Sequence, residues 1–281
     1  MSGQSVTYEP EDAIRRGYLS LLREISRELT GNRWLLQQLF KREVVGTYKQ
    51  SLLGIAWLVL TPLASVGTFL LLDTAGVIDV GRIAAPYPVF AILGMAFWQL
   101  FATGLVACTQ SLVGAGDMVA KIRFSRKSLV IAAMGRGVVA FAVQLILVAV
   151  LFLYYGLVPK AGILLMPLIA LPLVGLTLGL GFLFSLLNVV ARDVGNILAT
   201  LLTFLLFLTP VLYQKPESGF LSTLSDWNPL HHLVVAGRDL ALTGGLSQPS
   251  YFAAASAFAV FIFVCGTVVF HVTETRLAER V

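Results

Sequence analysis

Charge is what this sequence has least of. Of its 281 residues only 12% are Asp, Glu, Lys or Arg, where an ordinary soluble domain carries about 25%. Water is therefore not the chain's main solvent. Cysteine is scarce as well: Cys108 and Cys265 stand alone inside apolar runs, with no CxxC and no neighbouring histidine. That excludes a thiol-based metal site and leaves them as packing residues. The N-terminal stretch MSGQSVTYEPEDAIRRGY lacks the apolar core of a secretory signal, so the first true span is expected to insert the chain. A P-loop is missing too. The nearest stretch, GAGDMVAKIR, has Ala115, Ala120 and Ile122 where two glycines and a hydroxyl residue are needed. Every Asp and Glu falls in a loop or at a span end, with Asp73 and Asp193 the closest to an apolar run, which gives an ion-coupled carrier poor support. An enzyme fares no better. His231-His232 has no HExxH spacing and no nucleophile nearby, and Asp73, Asp79, Glu217, Asp226 and Asp239 are scattered.

Apolar residues are what is abundant, at 57% of the chain. They come in long blocks and not in the short alternating pieces of an outer-membrane barrel, and about 20 residues is what a ~30 Å hydrocarbon layer demands of a helix. The expected fold is all-α integral membrane, with six spans at about 51–72, 86–107, 129–155, 163–190, 194–213 and 251–271, in one membrane domain over 51–272. Residues 1–30 form a charged lead segment ending in the turn-like Thr30-Gly31-Asn32, and 273–281 form a tail. Between them and the first span, 31–50 reads as an amphipathic interface helix: Leu36, Phe40, Val44 and Tyr48 recur at i+4, while Gln38, Arg42 and Lys49 fall opposite. Glu43 and Val45 break that pattern, which leaves packing on protein open. The stretch between the fifth and sixth spans carries Phe220, Leu221, Leu224, Trp227, Leu230 and Leu233 among Pro216 and Pro229. Its apolar pieces are too short to cross, so re-entrant or interfacial helices are expected.

With the N-terminus inside, fifteen Lys and Arg lie on the inner side and four, Arg82, Lys160, Lys215 and Arg238, on the outer. The positive-inside rule then puts both termini in the cytoplasm, and the net charge of +5 becomes a matter of topology, with no nucleic acid implied. Arg136 alone lies inside a span. It either snorkels to the headgroups or meets an anionic group in a polar cavity. Gly175 and Gly179 form a small-xxx-small pair suited to close helix packing.

Three motifs carry a resemblance. In 40–63, FKREVVGTYKQSLLGIAWLVLTPL, a basic helix leads through Tyr48, Ser51, Leu52 or Leu53, Gly54 and Trp57 to Pro62. In RDVGNILATLLTFLLFLTPVLY, Arg192-Asp193 opens a span that ends in Pro210 and Tyr213. Asn228-Pro229 is followed by Arg238. Taken in this order the chain resembles the permease subunits of bacterial polysaccharide exporters, the type-2 ABC exporters of O-antigen and capsular polymers. The resemblance implies a permease homodimer in the bacterial inner membrane, among membrane lipids, with two copies of a separate ATPase. ATP and Mg would sit on that partner, and this chain would bind no cofactor and no metal. A coupling helix for the ATPase would fall at about Ser111–Lys127, with Asp117, Lys121, Arg123 and Arg126. Relatives often have Phe-Pro-Arg-Glu where this chain has Phe124-Ser125-Arg126-Lys127. The implied cargo is a glycan on undecaprenyl diphosphate. Aromatic faces suit passing sugars, so Trp57, Phe97, Trp98, Phe101 and Tyr213 are the candidate channel residues, and Arg42, Lys49 and Arg136 the candidate lipid-diphosphate residues. Another cargo (a capsular or teichoic-acid polymer, a drug) is the nearer alternative, an ATP-independent carrier or a membrane-bound sugar-transfer enzyme the more distant one.

Overall fold

The computed structural model of the chain describes residues 33–49, 53–76, 85–116 and 125–278. Among them every regular element is helical. They are α1 (Arg33–Lys49), α2 (Trp57–Thr74), α3 (Tyr87–Ala115), α4 (Arg126–Tyr154), α5 (Leu171–Val190), α6 (Asp193–Leu208), α7 (Phe220–Trp227), α8 (Pro229–Leu242) and α9 (Pro249–Ala278). A 3-10 turn at Ala161–Leu165 and one α-turn at Met166–Ile169 lead into α5.

Among the described residues, five stretches are long and apolar enough to cross a membrane: α2, α3, α4, the run Ala161–Val190 and α9 through Glu274. The fifth expected span differs. Its helix, α6, has 16 residues, or about 24 Å at 1.5 Å per residue, short of a ~30 Å hydrocarbon core. It stops because Pro210 has no N–H and disfavours a helical residue before it; Thr209 accordingly leaves the helix with φ −102° and ψ 125°. Proline opens helices elsewhere, within the first turn of α3, α5 and α8, where its fixed φ suits the helix and its missing N–H leaves no bond unmade. The expected 108–128 loop is also shorter, since α3 runs on to Ala115 and α4 begins at Arg126.

α3 is the central element, packed along α4 and α5 and touched by α2, α6 and α8. It is buried over most of its length, α2 over very little of its own. α9 lies along α5, where the backbones approach closely. A Cβ on Gly179 would stand 2.6 Å from the Ile262 carbonyl oxygen, and one on Gly266 2.2 Å from that of Gly179. Gly175, by contrast, faces open space. The tight pair that Gly179 joins is thus interhelical, with Gly266, and not the i, i+4 pair with Gly175.

One end of the bundle gathers α1, the C-terminus of α3, the N-terminus of α4 and the last turns of α9. There the Arg126 amide donates to the Glu274 carboxylate at 2.7 Å, and Lys127 pairs with the same group at 3.7 Å. The opposite end holds Tyr87, Tyr155, the 209–219 segment, α7 and α8. There a Cβ on Gly162 would meet the Leu240 carbonyl oxygen at 2.8 Å.

Candidate transport and coupling sites

At the far end, the residues of the two later motifs converge on one buried strip of backbone. Thr209 to Leu212 leave the helical pattern while fully buried, and buried carbonyls without donors are costly. Donors are supplied from two other helices. Arg238 of α8 donates to the Pro210 oxygen at 3.0 Å and the Val211 oxygen at 3.3 Å, with its guanidinium 4.1 Å over the Phe90 ring. Tyr87 of α3 donates to the Leu212 oxygen at 3.0 Å. Asn228 caps α8 by accepting from the Leu230 amide at 3.0 Å, and its amide nitrogen donates to the Thr209 hydroxyl at 2.9 Å. Burial lowers the Arg238 pKa to about 10, so it stays charged at neutral pH. His231, two turns back on α8, is pushed down to about 3 by burial and by the neighbouring Arg238, and is neutral. Outside this knot, Lys215 is paired with Asp226, whose carboxyl it holds below the usual range.

At the other end, α1 is fastened to α3 and α4. The Arg136 guanidinium donates to the Glu43 carboxylate at 2.6 Å. Leu39 is buried with Ala115, Leu129 and Ala132. Phe40 lies against Gly135, where a Cβ would come within 2.3 Å of its ring, and Arg42 donates to the Gly114 carbonyl at 3.2 Å. Glu43, which broke the amphipathic pattern, is the group that α1 turns inward. Arg136 thus meets an anionic side chain of its own chain.

Between the ends, α2 and α6 are the least covered helices and meet through Phe69 and Phe207, stacked at 6.2 Å. Both carry hydroxyls on exposed faces. Thr61 and Thr68 lie on α2 with half-buried Ser65 between them, and Asn196, Thr200 and Thr203 lie at i, i+4 and i+7 on α6. Thr68, Thr200 and Thr203 each bond the carbonyl four residues back, at 2.9 to 3.1 Å.

The candidate channel aromatics separate into two groups. Trp57 is 51% exposed. Tyr213 is half-buried and donates to the Phe207 oxygen at 2.7 Å. Phe97, Trp98 and Phe101 are buried within the chain, at 0, 4 and 3% exposure. Phe97 fills the space above Gly237 and meets Phe141 edge-on at 5.1 Å, and Trp98 tilts onto Phe101 at 6.0 Å. These three rings thus pack within the chain itself. Of the lipid-diphosphate candidates, Arg42 is exposed, Arg136 is bound to Glu43, and the Lys49 side chain lies outside what the structure describes. Arg126 is half-buried at the start of α4, while Asp117, Lys121 and Arg123 fall outside the described residues. Sequence reasoning missed Asn188, buried in α5. It donates to the Thr109 carbonyl at 3.1 Å and accepts from the Gly195 amide at 3.0 Å, tying α3 to the first turn of α6. A lone Asn at the end of an apolar run was the available signal.

The family model of the ABC-2 type transporter membrane domain matches residues 35–242, from α1 to the end of α8. The chain belongs to the ABC-2 type transporter family. The matched stretch contains both knots: the Glu43–Arg136 tie and the Arg238 cradle around Pro210. Three curated relatives extend the likeness over most of the chain. An O-antigen export system permease protein RfbA of Myxococcus xanthus is 28% identical over 259 residues, 91% of this chain and 98% of that protein. Two proteins of the same description from Klebsiella pneumoniae are 27 and 26% identical, each over 87% of this chain and 94% of their own length. As an ABC-2 membrane subunit the chain implies an ATP-binding-cassette ATPase as its partner in a transporter, in keeping with the missing P-loop.

Proposed function

We propose that this chain is the permease subunit of an ATP-driven exporter that moves a lipid-linked O-antigen-type polysaccharide across the inner membrane. The observation that carries the reading is the near full-length similarity to three O-antigen export permeases. Two permease copies with two copies of a separate ATPase form the working unit. The substrate path runs between the copies along the exposed faces of α2 and α6, where Trp57 and the hydroxyl stripes offer many weak contacts to sugars. Short α6 completes a sixth span together with the buried 209–212 segment and Tyr213. That irregular backbone is tolerable in a membrane because protein donors satisfy it.

The positive-inside count favours a cytoplasmic position for the end that carries α1 and Glu274. The ATPase docks there, on the segment containing Asp117, Lys121, Arg123 and Arg126. Its motion reaches the spans through α4 and the Lys127–Glu274 contact. Arg42 and Lys49 attract the lipid diphosphate to the same side, and α1 shifts as the path opens. Exposed Trp227, Phe220 and Leu221 face outward from α7 while Ser222 and Ser225 are turned in. That arrangement suits a helix lying in the outer interface.

The test is deletion of the gene in its host and complementation. Loss of surface glycan with accumulation of lipid-linked polymer on the cytoplasmic side, both reversed by the chain together with its ATPase, is the expected outcome. Unchanged surface glycan overturns the reading, and so does transport into liposomes by this chain alone.

A further inference from the structure

A cavity of about 500 Å³ opens at the far end, beside the Arg238 cradle, between α8, the end of α4 and the 243–248 loop. That lies within the range of about 300–1,000 Å³ typical of small-molecule sites. Its polar lining includes His231, Asp239, Gln214 and Gln248, and its apolar side is formed by Phe152 and Val158. None of these residues is used by the path along α2 and α6.

The character of the lining decides what it can hold. Both cations that border it are already engaged: Arg238 gives its terminal nitrogens to the Pro210 and Val211 carbonyls, and Lys215 is held by Asp226. A carboxylate, Asp239, adds a charge that repels anions. It already accepts from the Ser247 amide at 3.0 Å and from the Ser247 hydroxyl. A phosphate would therefore meet no free positive group. His231 lines the cavity and is 5% exposed. A neutral imidazole offers one donor and one acceptor. Carboxylate, amides and imidazole beside an apolar wall match a ring that presents hydroxyls on its edge and C–H groups on its face.

We propose that this far-end cavity is a binding site for a single neutral pyranose ring, with His231, Asp239 and Gln248 as its hydrogen-bonding residues. The identification of the ring as a unit of the exported glycan rests on the function proposed above; the site itself does not. Bound there, a sugar would sit on α8, whose Arg238 holds the 209–212 strip, so glycan at the outer end would be sensed by the segment that terminates α6.

The experiment uses the intact chain with its ATPase in nanodiscs and saturation-transfer NMR. The probes are the methyl pyranosides of glucose, galactose, mannose, rhamnose and N-acetylglucosamine, with inorganic phosphate as the anionic probe. Saturation transfer to at least one glycoside is expected, weakened at least tenfold in His231→Phe and unaffected by excess phosphate. Because His231 is buried, Val158→Trp serves as the second variant. Residue 158 is 84% exposed at the rim, and the larger ring should close the cavity without disturbing the core, with the same tenfold loss. No transfer to any glycoside overturns the proposal, as does transfer that survives Val158→Trp or transfer that excess phosphate abolishes. Failure of the pyranosides to bind in a chain that still restores surface glycan refutes this site alone. Binding in a chain that restores none refutes the function and leaves the site standing.

Discussion

Phe97 and Trp57 are both aromatic and both sit in apolar helices, yet one is sealed inside the chain and the other is half exposed. Their truncations should separate accordingly. Phe97→Ala empties the space above Gly237 and should lower stability by about 3–5 kcal/mol, read as a fall in the thermal midpoint of the purified protein. Trp57→Ala should leave that midpoint within a degree or two and instead reduce glycan export. A transport defect in Phe97→Ala at unchanged stability would place it on the channel wall. His231 sets a second residue-scale expectation. Burial, with Arg238, His232 and Lys215 nearby, lowers its pKa from 6.5 to about 3. The unfolded chain therefore takes up a proton below about pH 6.5 that the folded chain refuses until about pH 3. Stability should fall as pH drops through that window, by at most about 1.4 kcal/mol per unit. The midpoint measured at pH 5.0 should lie below that at pH 7.5, and His231→Gln should flatten the difference.

At the scale of elements, the α5–α9 crossing is set by two glycines rather than by a stripe. Gly179→Ala would push a methyl to 2.6 Å from the Ile262 carbonyl and 2.7 Å from the Phe263 Cα, both backbone atoms that cannot rotate away. Gly175→Ala meets nothing within 4 Å and replaces a poor helix former with the best one. The first should cost about 1–3 kcal/mol through overpacking, and the second should be neutral or slightly stabilising. Equal effects in a detergent unfolding assay would refute the crossing. In sequence the two glycines are indistinguishable, because the neighbour that gives Gly179 its role is Gly266, far along the chain. Glu43 has the same history: its partner Arg136 is 93 residues away, so a local pattern registers it only as an interruption. The presence of apolar helices was legible because span length is a property of a continuous run. Where α6 ends follows from Pro210, but that the exit is buried depends on donors from α3 and α8, which periodicity does not reveal.

On the scale of the whole molecule, the distribution of cover is uneven in a way that composition alone does not predict. α3 is enclosed by its own chain, while α2 and α6 expose apolar residues beside hydroxyls. Lipid can cover the apolar part, and the hydroxyls, bonded back to their own helix, tolerate lipid or water. Reactivity with a membrane-impermeant maleimide distinguishes the two, because only a thiolate in water reacts. Cys108 is buried and Cys265 half-buried, so both would first be replaced by alanine or serine. In the assembled transporter, Thr200→Cys and Thr203→Cys should label if α6 lines a water-filled path between two copies. Leu202→Cys, at a position 6% exposed, should stay silent by burial. Ile146→Cys on α4, at a position 65% exposed, should stay silent by immersion in lipid, since a hydrocarbon environment denies the reagent its thiolate. If Thr200 and Thr203 are as silent as Ile146 both with and without ATP, α6 faces lipid throughout the cycle and the path must lie elsewhere. Labelling that rises when the ATPase is active would place the moving wall of the path on this helix.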